Sequence, residues 1–182
     1  MSRSRRLVLV GFMGCGKSSV GRVLARRLGW DFVDLDAQVE KAEGRSVAAI
    51  FAESGEAHFR AAEAREAETT LARDRVVLAA GGGWAAQPGR LATLPEGTTS
   101  VWLRVSAEEA VRRSRPRSGT RPLLDGPDPL GTARELLSRR EPEYARAHLE
   151  VDTEGRTVED VAARVLQLLE SEPGIHTPLE TR

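Results

Sequence analysis

Asparagine is missing altogether from this chain, so the N-K-x-D motif through which GTPases read guanine cannot be built. Lysine is nearly as scarce: Lys17 and Lys41 stand among 27 basic residues, the rest arginine, a bias we ascribe to the source rather than to function. Cysteine occurs once, at Cys15, which excludes an internal disulfide and favours a cytosolic setting. In its sequence context Cys15 reads as a small residue in a tight loop, not as a redox centre. Neither sign of charge is in excess, with 27 acidic against 27 basic residues. A surface field that would draw nucleic acid or an anionic membrane is therefore not expected, and any anion site must be local. Long apolar runs are lacking too. Met1–Arg6 followed by Leu7–Val10 has the outline of a signal peptide, but the run stops at a glycine loop and is far too short for a bilayer, so the chain is expected to stay in the cytoplasm. There is no internal repeat and no linker, and 182 residues fit one domain spanning 1–182.

What is present is concentrated at Gly11-Phe12-Met13-Gly14-Cys15-Gly16-Lys17-Ser18, a G-x-x-x-x-G-K-S sequence directly after the apolar run Leu7–Val10. Glycines there let successive backbone N–H groups curl around a polyphosphate, the lysine adds a point charge, and the serine hydroxyl can take a place on Mg²⁺. Val20, Val23, Leu24 and Leu28 then recur at helical spacing until Gly29, giving the strand, loop and helix that a phosphate-binding loop requires. A dinucleotide-binding G-x-G-x-x-G turn is the rival. Gly14 and Gly16 fit it and Asp34 and Asp36 lie at a suitable distance, but its third glycine is replaced by Ser19.

Short apolar runs at 7–10, 32–35, 76–80, 100–105 and 149–151 alternate with longer helical patterns, which indicates βαβ units, an α/β fold and a parallel sheet with its ligands at the carboxyl ends of the strands. The last helix carries Val158, Val161, Ala162, Val165, Leu166 and Leu169 on one face, with Thr157 as its cap and Asp160 at N3. Residues 172–182 read as a frayed tail. Two insertions break the alternation. One, 37–73, is punctuated by Ser46 and Gly55; the other, 115–128, is rich in Pro, Gly and Arg.

Several constellations point to chemistry. Asp34-Leu35-Asp36 closes the second strand and presents two carboxylates toward the phosphate-loop edge, for Mg²⁺ through water or for a substrate hydroxyl; the alternative is a pair of helix N-terminal acids. Glu63 lies three residues after Arg60, helical spacing that can hold the guanidinium for a carboxylate ligand, although a surface ion pair gives the same pattern. Gly81-Gly82-Gly83 removes side chains where something must approach the backbone, unless it is only a flexible turn. Arg115, Arg117 and Arg121, with Arg112 and Arg113 just before them, make the second insertion read as a basic lid for closing over ATP, the alternative being a solvated basic face. Pro142 is expected to interrupt a helix and let Arg140 turn inward.

In order and spacing this set (GFMGCGKS, Asp34-Leu35-Asp36, Phe59-Arg60 with Glu63, Gly81–Gly83, Arg121-Pro122-Leu123-Leu124, and Arg140 with Pro142 and Tyr144) resembles shikimate kinase over about residues 6–170. The resemblance implies a nucleoside monophosphate kinase-like P-loop fold: three layers, a five-stranded parallel sheet flanked by helices, a substrate-binding insertion at 33–62 and a mobile lid at 112–126. It implies ATP-dependent phosphorylation of shikimate to shikimate 3-phosphate in the aromatic amino-acid (chorismate) pathway, with ATP and Mg²⁺ as cofactors. Carried over, Gly14, Cys15, Gly16, Lys17, Ser18 and Ser19 bind ATP, Ser18 and Asp34 serve the metal, and Lys17, Asp36 and Arg121 are catalytic. Asp36, Arg60, Gly82 and Arg140 hold shikimate, Phe51 and Phe59 pack on its ring, Arg121 reaches the γ-phosphate, and Arg156 is the candidate for adenine. Trp84 departs from the small residue more usual in the family, a change that could reshape the pocket wall. Gluconate kinase, a nucleoside monophosphate kinase and a non-catalytic nucleotide-binding module remain the alternatives. A monomer is the default expectation, since nothing in the sequence speaks to assembly.

Overall fold

A computed structural model describes residues 5–114 and 127–171. Five parallel strands, β1 (Arg6–Val10), β2 (Asp31–Asp34), β3 (Val76–Ala79), β4 (Thr98–Arg104) and β5 (Leu149–Asp152), form one sheet in the order β2-β3-β1-β4-β5. The expected strands are all present, with ends displaced by a residue or two. Leu35 is the informative difference: it opens a helix instead of closing β2. In the dinucleotide-binding order β1 neighbours β2, whereas here β3 lies between them, Arg6 to Leu9 pairing with Val76 to Ala79. The rival reading of the glycine loop fails on that topology.

The sheet is buried on both faces, which is why Leu7–Val10 of β1, all of β3 and Val101–Leu103 of β4 are apolar runs with no polar alternation, while Thr98, Thr99 and Ser100 open β4 as buried polar residues. Helices α1 (Lys17–Leu28), α2 (Leu35–Glu43), α3 (Val47–Leu71), α4 (Gly82–Ala85), α5 (Ala107–Ser114), α6 (Pro129–Tyr144) and α7 (Val158–Ser171) cover it, α1 packing with α7 and α5 with α6. α7 starts as expected: Thr157 Oγ1 accepts from Asp160 N at 3.1 Å, and the Asp160 carboxylate accepts from Thr157 N at 3.2 Å. Ser46 caps α3, and Gly55 at φ 80° kinks it into two helical pieces. The first piece and α2 fill most of the 33–62 insertion around a separate small core of Val39, Ile50, Phe59 and Ala62.

α6 corrects one expectation. It runs through Pro142 to Tyr144 without a break, so Arg140 reaches inward from a continuous helix and not from an interruption. The tail at 172–182 and the lid from 115 onward, with Arg115, Arg117 and Arg121, lie outside the described residues.

Candidate functional site

Because β1 lies at the middle of a parallel sheet, the loop that leaves its carboxyl end is held on both sides. The phosphate-loop glycines are required by close approach. A Cβ on Gly11 (φ 136°) would stand 2.5 Å from the Leu103 carbonyl oxygen, and one on Gly14 (φ 79°) 2.9 Å from that of Ala110. Gly16 caps α1 in the left-handed region, and Cys15 is buried in the loop, as its small size suggested. The Lys17 ammonium folds back along the loop, donating to Gly11 O at 2.8 Å and Phe12 O at 3.0 Å. Lysine thus gives the loop both its shape and a mobile positive charge.

Asp34, the last residue of β2, caps α2 by accepting from Ala37 N at 3.4 Å, and its other oxygen takes a short hydrogen bond from the Ser18 hydroxyl. Asp36 follows in the first turn of α2. Both are therefore helix N-terminal acids, and both nonetheless face the phosphate loop. Asp36 opens onto the cleft, yet protein atoms crowd it on its other sides. That desolvation, with Asp34 nearby, raises its carboxyl above the usual range against the pull of Lys17 and Arg60. Ser18 and Asp34 bring a hydroxyl and a carboxylate into contact at the loop, a hard oxygen pair that suits Mg²⁺. Among the described residues no cluster of three or more His, Cys, Asp or Glu could hold a metal unaided. The rest of a magnesium shell at this point would come from phosphate oxygens and water.

The opposite wall is built from the glycine run. Gly81 caps α4, and a Cβ there would come within 2.3 Å of Glu63 Oε1 and 3.1 Å of Asp36 Oδ1. On Gly83 it would come within 2.4 Å of Arg60 Nη2, and on Gly82 it would touch Arg140 Nη1 at 3.5 Å. The run is a short helix pressed between charged groups, not a flexible turn. Arg60 Nη1 donates to Glu63 Oε2 at 2.7 Å, and Glu63 is 1% exposed, so this pair is no surface ion bridge. Arg140 lies 6.0 Å from the Phe12 ring centroid with no carboxylate partner among the described residues. Two guanidinium groups thus converge over consecutive glycines, one held by a buried acid and the other with its charge unmatched. Phe51, 38% exposed, stacks at 4.7 Å on the buried Phe59 beside them.

Burial pushes Glu63 up to about 7, opposed by its hydrogen bond and ion pair with Arg60. The folded chain then holds this proton more tightly than the unfolded one, whose Glu titrates near 4.5, so Glu63 favours folding most below that value and its contribution is lost as pH rises through about 7. Glu63→Gln removes the titration. The difference in Tm between wild type and variant should shift across pH 4.5 to 8 in the variant's favour as pH rises; a difference that stays constant with pH would show that Glu63 does not titrate there.

One sequence-based expectation ends differently. Trp84 does not reshape the acceptor wall: its side chain is 2% exposed and packs inward, with the Arg90 guanidinium 5.4 Å from its ring centroid. Arg156 lies exposed on the β5–α7 loop. The arginine found near the phosphate loop is Arg113, which the sequence grouped only with the basic lid. From the end of α5, Arg113 donates to Gly14 O at 3.4 Å and to Thr153 O at 2.9 Å, with Glu109 one turn back holding its Nε. The Glu109–Arg113 spacing was its only sequence signal.

A phosphate loop after the central strand, two acids at the end of β2 and a cationic acceptor wall at the end of β3 share one sheet edge. On this strand order they define a P-loop kinase of the nucleoside monophosphate kinase-like class. Comparison narrows it. Residues 13–170 match the shikimate kinase family. The chain is 43% identical over 166 residues to a shikimate kinase of Symbiobacterium thermophilum, covering 90% of this chain and 95% of that protein. Its fold superposes at a TM-score of 0.87, with 36% identity, on a shikimate kinase from Acinetobacter baumannii in complex with shikimate, covering 92% and 93% of the two chains. The corresponding figures for the Aquifex aeolicus shikimate kinase are 0.81, 34%, 91% and 96%. The chain belongs to the shikimate kinase family.

Proposed function

We propose that the chain transfers the γ-phosphoryl group of ATP to the 3-hydroxyl of shikimate, giving shikimate 3-phosphate and ADP, in the cytoplasm. The observation that carries this reading is the pair of guanidinium groups over Gly82 and Gly83, facing Asp36 across from the phosphate loop. A carboxylate binds well to planar forks, and among the described residues Arg140 has no acid of its own to compete. Arg60, Arg140 and the Gly82 backbone hold the acceptor's carboxylate and ring, and Phe51 covers its apolar edge. Asp36 orients the hydroxyl and takes its proton as the phosphoryl group arrives; its raised carboxyl makes it a better base than an ordinary aspartate. Lys17 leaves its loop carbonyls to meet the outer phosphates, with the N–H groups of residues 14–19 around the chain of phosphates. Ser18 and Asp34 would hold Mg²⁺, which would neutralise phosphate charge when bound with the nucleotide. Arg121 of the lid supplies a further positive charge at the γ-phosphate, and Arg156 meets the adenine.

The direct test is ADP release measured in parallel with shikimate, gluconate, AMP and no acceptor. Release that depends on shikimate alone supports the reading; dependence on gluconate or AMP, or none at all, overturns it. Within the site, Arg60→Lys and Arg140→Lys keep the charge but lose the fork. Each should raise KM for shikimate about 10-fold or more, in line with the loss of one or two charge-assisted hydrogen bonds, while leaving KM for ATP nearly unchanged. Normal shikimate affinity in both variants would move the acceptor's carboxylate elsewhere.

A further inference from the structure

Tyr144 is the only tyrosine of the chain, and nothing in the reaction above uses it. It ends α6, four residues after Arg140, so the two side chains leave the same face of the helix. Its ring is fully buried, 6.3 Å between centroids from Trp102 of β4, in the same core cluster as Phe12 and Cys15 of the phosphate loop. A phenylalanine would fill that space equally well. The hydroxyl is the part that needs explaining, since a polar group in a core is costly unless it is bonded. It donates to the Gly82 carbonyl at 2.8 Å.

That bond acts on the most permissive stretch of the chain. Three consecutive glycines restrict their own dihedrals very little, so the direction of each peptide has to be set from outside. Gly81 is hemmed in by Glu63 and Asp36, and Gly83 by Arg60. Gly82 has Tyr144 and Arg140 on one side and the Gly11 carbonyl of the phosphate loop 3.4 Å from where its Cβ would be. A peptide is planar, so fixing the Gly82 carbonyl fixes the orientation of the Gly83 N–H with it. Burial also pushes the phenol well above its ordinary value, which keeps the hydroxyl a donor at any working pH.

We propose that Tyr144 is a positioning residue for the acceptor site: its hydroxyl locks the Gly82 peptide and sets the distance between the glycine wall, Arg140 and the phosphate loop. This rests on the acceptor reading given above. It makes the Arg-x-Pro-x-Tyr stretch one device, in which Arg140 supplies the charge and Tyr144 supplies the alignment of the backbone beside it.

Tyr144→Phe removes one oxygen and keeps the ring. Loss of a single aligning hydrogen bond should raise KM for shikimate about 3- to 10-fold, with KM for ATP unchanged and kcat within about twofold. Because the phenol does not titrate, the ratio of variant to wild-type KM should stay level from pH 6 to 9. Leu169→Val, in the remote core of α7, serves as a control for lost stability and should leave both KM values alone. A lower Tm in Tyr144→Phe with unchanged shikimate KM would make Tyr144 a filler of the core and overturn the proposal, as would equal rises for shikimate and ATP. Wild-type protein inactive on shikimate would remove the acceptor reading and this proposal with it; active wild type with an unaffected variant removes this proposal alone.

Discussion

Lys17→Ala should reduce phosphoryl transfer about 10³-fold or more, the range seen when a positive group aimed at developing phosphate charge is removed. The structure adds a second effect. In the absence of phosphate the ammonium bonds Gly11 O and Phe12 O, so alanine also removes a donor from two half-buried carbonyls, of which that of Phe12 keeps Cys15 N at 3.3 Å, at a cost of about 1–3 kcal/mol. The variant should remain folded, since no core contact is lost, with a Tm lower by several degrees. Far-UV circular dichroism with a thermal melt separates that cost from the loss of turnover. Near-normal turnover by the folded variant would remove the phosphate-loop reading. If activity is lost only in proportion to lost folded protein, Lys17 belongs to the architecture of the loop and not to the chemistry.

Asp36→Asn should lower kcat about 10²-fold or more, the usual contribution of a positioned acid or base, with little change in KM for ATP. Stability provides the control. Crowding and Asp34 disfavour the ionised carboxylate in the folded chain, so a neutral amide of the same shape should leave Tm no lower than wild type and raise it near neutral pH. Full activity loss without loss of stability is the pattern expected of a group kept for the reaction. Asp34→Asn serves as the contrast, because Asp34 also caps α2 and takes the Ser18 hydroxyl, so its loss should disturb folding and metal use together. Should Asp36→Asn keep near-normal kcat with shikimate while Asp34→Asn does not, the roles of the two carboxylates are exchanged.

Most of the scaffold could be read from the sequence because it rests on local rules. Doubly covered parallel strands are largely apolar, and Leu7–Val10 of β1, all of β3 and Val101–Leu103 of β4 stand out for that reason; the glycines and lysine of the phosphate loop follow from the backbone geometry they allow. The acceptor wall was only partly legible. Glu63 three residues after Arg60 is a local pattern, but its burial, which turns a commonplace ion pair into a held fork, depends on Gly81 approaching from β3. Arg113 and Tyr144 carried no local signal for their long-range contacts, with Gly14 and Thr153 for the one and Gly82 for the other. Each meets these partners across the sheet edge, at separations where sequence spacing says nothing about distance. The expected break at Pro142 failed for a different reason: the proline lies in the last turn of α6, where one lost backbone bond is tolerated because the helix ends two residues later.

The glycine wall also sets how this enzyme's acceptor preference can be changed in the laboratory or by natural drift. At Gly81 and Gly83 the smallest added side chain would collide with a carboxylate or a guanidinium of the proposed acceptor site. On that reading this side of the pocket is closed to gradual remodelling, since every first step passes through a damaged intermediate. Phe51 is different: it is exposed and lies against Phe59 of the small α2–α3 core, which is packed apart from the main one. Libraries for a new acceptor would therefore yield most if they vary the surface around Phe51 and leave residues 81–83 alone.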